Sequence, residues 1–81
     1  MKLAHRINNR QVTELEVWVE PWCHAYQVPC GSTLTFRFEA ASPEAAQLIV
    51  ETTQERLVIW FSTDKAPSAE LDGTAVQPAW D

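Results

Sequence analysis

Apolar and polar residues alternate with a period of two along most of this chain, the spacing of half-buried β-strands. From Val12 to Glu20, Leu15, Val17 and Val19 fall on one face, with Glu14, Glu16, Trp18 and Glu20 on the other. Pro21 stops that run, since proline cannot donate to a ladder. Alternation resumes from His24 to Val28, where His24, Tyr26 and Val28 share a side, and Pro29-Cys30-Gly31-Ser32 reads as a turn. Thr33 to Glu39 is the clearest strand: Leu34, Phe36 and Phe38 face inward, and Thr33, Thr35, Arg37 and Glu39 face out.

The period then breaks. Ser42-Pro43-Glu44 offers a capping hydroxyl, a proline for the first helical position and an early acid. One short helical turn is expected near residues 43–47. Gln47–Thr53 and Arg56–Ser62 read as a hairpin around Thr52–Glu55. Within it, Leu57-Val-Ile-Trp-Phe61 is apolar on both faces, which marks a strand covered on both sides or a face that meets another chain. Asp72-Gly73, inside Glu70–Val76, is a favoured two-residue hairpin turn. Trp80 is expected to pack over the end of the fold. The pattern predicts one all-β domain over residues 1–81, a small antiparallel sandwich or open barrel of six to seven short strands.

Length sharpens this picture. A chain of 81 residues buries roughly 60 % of its unfolded surface, so its core is modest and a partner subunit would help it. The apolar fraction of 46 % argues for an ordered domain rather than a disordered one. A net charge of −5 argues against a nucleic acid and against an anionic membrane surface. Lys2, Arg6 and Arg10 hold half of the basic residues, and they read as a solvated N-terminal segment. Only two glycines occur, which excludes a Gly-rich phosphate loop. No apolar run approaches a membrane span, and MKLAHRINNR lacks the apolar core of a secretory leader. With Met1 as the start, a cytoplasmic location is expected.

Candidate chemistry concentrates in WVEPWCHAYQVPC, residues 18–30. Cys23, His24 and Cys30 are thiolate and imidazole types that suit a metal or redox work. Their spacing matches no finger or ribbon, and Cys23 and His24 would point to opposite faces of a strand. A disulfide is disfavoured in a reducing compartment, and a thiol–imidazole nucleophile would still lack an orienting third group. No cofactor and no metal site are therefore expected. Glu14, Glu16 and Glu20 read as a solvated acidic face rather than as catalytic carboxylates.

The run Tyr26-Gln-Val-Pro-Cys-Gly-Ser-Thr-Leu-Thr-Phe-Arg-Phe38 resembles the strand–turn–strand pattern of cupredoxin-like sandwiches and of cupin-like barrels. The resemblance covers about thirteen residues. The chain has no histidine and no methionine after Cys30, and only His5 and His24 before it. What the resemblance implies is a sandwich or jelly-roll-like scaffold without the metal chemistry of those families.

Four tryptophans in so short a chain are the better lead. Trp18 lies between Glu16 and Glu20 on its strand face, and Trp22 and Tyr26 follow closely. Together Trp18, Trp22 and Tyr26 would form an aromatic surface for a ligand or partner, with Glu16 and Glu20 favouring cationic groups. Val58 and Trp60 would line an oligomer interface. The expected function is a non-enzymatic binding or protein-interaction module that engages a protein partner or a second copy of itself. The alternative is a metal- or thiol-dependent protein using Cys23, His24 and Cys30.

Overall fold

The computed structural model describes residues 1–53 and 56–79. Trp80, and residues 54 and 55 of the expected hairpin turn, lie outside the described residues. Eight strands follow one another: β1 (Lys2–Asn8), β2 (Leu15–Glu20), β3 (His24–Val28), β4 (Thr33–Glu39), β5 (Leu48–Thr52), β6 (Arg56–Phe61), β7 (Ser68–Leu71) and β8 (Thr74–Val76). The single helical element among the described residues is a 3₁₀ turn at Glu44–Ala46, after Pro43. Ser42 Oγ accepts a hydrogen bond from the Ala45 N–H at 3.3 Å.

The strands form two four-stranded sheets packed face to face, ordered β1-β4-β7-β8 and β3-β2-β6-β5. They make a small sandwich and do not close into a barrel. The strand count is eight rather than six to seven. The added strand is β1, which pairs antiparallel with β4 from Lys2↔Glu39 to Asn8↔Thr33. The N-terminal segment is thus an edge strand, although Lys2, Arg6 and Arg10 are indeed exposed. Its inward set is Leu3, His5 and Ile7, opposite Phe38, Phe36 and Leu34. The polar His5 in that set hides the alternation. All pairings are antiparallel except β2–β6, which run parallel. Parallel neighbours need a long connection, and here the chain visits β3, β4 and β5 before β6 returns beside β2.

One apolar cluster joins the sheets. Val17, Val19, Val28, Leu34, Phe36 and Ile59 are almost completely buried. Each such side chain contributes roughly 1.5–3 kcal/mol relative to exposure. The rings of Tyr26 and Phe36 meet edge-to-face at 5.5 Å, Phe36 and Phe61 at 5.7 Å, and Phe38 and Phe61 at 5.1 Å. This aromatic chain crosses between β3, β4 and β6 and so ties one sheet to the other.

Two turns fix the ends. Asp72 and Gly73 have φ of 50° and 87°, the pair of positive values that a type I′ hairpin requires. Asp72 Oδ1 accepts the Thr33 N–H at 2.9 Å, which is the main reason its carboxyl sits below the usual aspartate range. Asn9 is buried and anchors the loop before β2. Its Nδ2 donates to the Thr13 and Val28 carbonyls, and its Oδ1 accepts the Gln11 N–H.

Candidate functional site

The β3-β2-β6-β5 sheet turns one face to the core and the other to solvent. Strand registers lay the solvent face out in rows. Gln27, Glu16 and Arg56 form the first row, Ala25, Trp18, Val58 and Glu51 the second, and Glu20, Trp60 and Ile49 the third. Glu16, Trp18, Glu20, Val58 and Trp60, drawn from two separate stretches of sequence, are thereby brought onto one surface.

Two of the aromatic residues expected there lie elsewhere. Tyr26 is 4 % exposed and packs on Phe36. It pairs with Val17, on the core side of the sheet. Trp22 sits in the turn between β2 and β3 and packs against the core cluster. The turn explains the error. Cys23 adopts φ of 58° there, so the alternation of β2 does not carry over into β3. A continuous Trp18–Trp22–Tyr26 platform does not form.

The face is divided in character. At its β3–β2 end the polar groups satisfy each other. Trp18 Nε1–H donates to Glu16 Oε1, and Gln27 Nε2 donates to Glu16 Oε2 at 3.4 Å. Arg56 approaches Glu16 at 3.5 Å and lies over the Trp18 ring at 5.3 Å. Within about 6 Å a guanidinium is attracted to the indole face. The Glu16 pKa is lowered, chiefly by the Trp18 hydrogen bond, which outweighs the opposing effect of desolvation, with smaller help from the Gln27 hydrogen bond and the Arg56 charge.

At the β6–β5 end the apolar groups are open. Trp60 is 40 % exposed and Ile49 beside it 65 %. Trp60 Nε1–H donates to Glu51 Oε1, and its ring remains partly exposed to solvent. Next to it, Glu20 Oε1 is buried with no hydrogen-bond partner among the described residues. A buried oxygen left unpaired costs free energy. Ile49, Glu51, Gln27 and Arg56 were not among the residues the sequence pointed to. Alternation placed Ile49 and Glu51 on one side of their strand, but only the β2–β6 pairing puts that side beside Trp18.

The cysteines do not converge. β3 separates them, Cys23 before its first residue and Cys30 beyond its last. A five-residue strand spans roughly 16 Å at its usual rise. Both are free and exposed. The Glu20 carboxylate, as hydrogen-bond acceptor and then as charge, pushes the Cys23 thiol above its usual pKa, the opposite of what an activated thiolate needs. Among the described residues no three His, Cys, Asp or Glu side chains form a metal-holding group. An open groove of about 610 Å³ is lined by residues such as Arg37, Ala41, Thr63 and Lys65. No helix among the described residues is long and apolar enough to cross a membrane.

Comparison with protein-family models, with curated proteins and with solved structures finds no match.

Proposed function

We propose that this protein is a non-enzymatic interaction module that engages its partner through the β6–β5 end of the outer sheet face. The observation that carries this reading is the juxtaposition of exposed Trp60 and Ile49 with the partly exposed Glu20 carboxylate in one row of the sheet. Tryptophan is over-represented among the residues that dominate protein interfaces. An apolar anchor on Trp60, Ile49 and Val58, with a lysine or arginine reaching Glu20, satisfies both the ring and the carboxylate. Glu16 plays a different part from the one its sequence position suggests. It is occupied by Trp18, Gln27 and Arg56, so Glu20 is the acid that recognises a cationic group. The two exposed free cysteines suit a reducing compartment, and we place the protein in the cytoplasm.

The test uses immobilised peptides in which a large apolar residue is flanked by lysine or arginine. Binding is expected to fall at least tenfold on Trp60→Ala, to weaken on Glu20→Gln, and to survive Tyr26→Phe. Binding indifferent to both Trp60→Ala and Glu20→Gln contradicts the reading. A metal adduct in native mass spectrometry that disappears on Cys23→Ser would replace it with thiol–metal chemistry.

A further inference from the structure

Each sheet of the sandwich has two edges, and three of these edges are guarded. Unguarded edges template pairing with other chains, and proteins blunt them with charge, brevity or cover. β1 carries the exposed cations Lys2 and Arg6. β8 has only three residues. The edge of β3 is covered by the chain itself, where the Ala79 N–H donates to the Ala25 carbonyl at 2.8 Å. Among the described residues, β5 has neither an edge cation nor a covering segment, and its one charge is Glu51. Its five residues, Leu-Ile-Val-Glu-Thr, include no lysine, arginine or proline. Ile49 and Val50 are 65 % and 47 % exposed. Val50 sits on the inward side, paired with buried Ile59, so its exposure shows that the opposing sheet does not reach over β5.

The free groups on this edge have a defined order. In the β5–β6 ladder the Thr53 N–H donates to the Arg56 carbonyl at 2.9 Å. Antiparallel pairs alternate between bonded and non-bonded, so Ile49 and Glu51 also bond inward to β6. Leu48, Val50 and Thr52 then direct their N–H and C=O groups outward. That arrangement is symmetric about Val50.

We propose that β5 pairs antiparallel with β5 of a second copy across a two-fold axis at Val50, joining the two sheets edge to edge. This proposal rests on the reading of the chain as an interaction module and names one of its partners. The Val50 N–H of each copy donates to the Val50 carbonyl of the other. Leu48 and Thr52 exchange bonds in the same way. Such a contact is self-complementary, as a two-fold interface must be. The charges allow it. Glu51 is the strand's one charged residue, its carboxylate is held by Trp60, and in this register it opposes Ile49 rather than a second Glu51. The same geometry pairs the outward backbone groups of β5 and brings two Trp60 patches onto one continuous face, which presents the partner surface twice. Only about six residues a side take part, against roughly 20–30 in a standard stable interface. The dimer is therefore weak and concentration-dependent.

Sedimentation of untagged protein from micromolar to millimolar concentration tests this, with circular dichroism confirming that each variant is folded. The wild type is expected to show a reversible monomer–dimer equilibrium. Val50→Lys, which places an edge lysine, and Val50→Pro, which removes the outward N–H, should each weaken it at least tenfold. Should Val50→Pro disturb the fold, Val50→Lys carries the test, because its side chain is already half exposed. A wild type that stays monomeric throughout overturns the proposal, as does a dimer that survives both substitutions. A dimer lost only on Trp60→Ala also overturns strand pairing but leaves the Trp60 surface standing. Intact dimerisation with no peptide binding does the reverse.

Discussion

The two ends of the outer sheet face start from similar residues and reach different states. Each has a tryptophan whose indole N–H is held by a carboxylate, Trp18 by Glu16 and Trp60 by Glu51. At the β3–β2 end a cation completes the arrangement: Arg56 lies over Trp18 and beside Glu16. The adjoining strand edge is also closed, by the Ala79–Ala25 bond. At the β6–β5 end no cation covers Trp60 among the described contacts, Ile49 is open, and β5 offers a free edge. Composition therefore does not distinguish the open end from the closed one. What distinguishes them is whether the chain covers its own groups there.

The largest expected effect separates the two tryptophans. Trp18→Ala removes a half-buried ring together with its hydrogen bond and its cation contact. It should cost about 2 kcal/mol, roughly half of the figure for a fully buried aromatic. Trp60→Ala should cost about 1 kcal/mol or less in the monomer, as exposed positions generally do. Urea unfolding of dilute protein measures both. Equal costs would break the distinction between a closed end and an open one.

A smaller effect is expected from Arg56→Ala. Surface ion pairs and exposed cation–π contacts each contribute about 0.5–1 kcal/mol. The more telling readout is Trp18, whose quenching by acrylamide should approach that of Trp60 once its cover is gone.

The smallest effect concerns pH. The Glu16 pKa is lowered in the folded state from an ordinary value of 4.5. The carboxylate thus adds stability above that value, and the contribution is lost as pH falls through the lowered folded value. Glu16→Gln should flatten this part of the melting-temperature profile below about pH 4.5. The same substitution should leave the profile above pH 6 parallel to that of the wild type.

Much of this architecture was legible in the residues. The limits of Thr33–Glu39 and His24–Val28 follow from period two, and the positive φ of Asp72 and Gly73 follows from their turn chemistry. Trp18 and Glu16 could be placed on one face from local alternation alone. Three things could not be read. β1 was obscured because His5 occupies an inward position. Tyr26 could not be assigned a face, because the Pro21–Cys23 turn resets the strand's phase. The meeting of Trp18 with Arg56 depends on the parallel β2–β6 pairing, a contact between strands some forty residues apart that no local pattern specifies. The open edge of β5 is likewise a property of strand order, not of the five residues in it.

Hydrogen exchange at the β5 backbone amides tests the central claim most directly. In dilute protein, Leu48, Val50 and Thr52 should exchange quickly, while Ile49 and Glu51, bonded to β6, stay protected. Raising the concentration into the millimolar range should slow Leu48, Val50 and Thr52 and leave Ile49 and Glu51 unchanged. If the three outward amides exchange at the same rate at every concentration, β5 is not a site of strand pairing and the account is wrong.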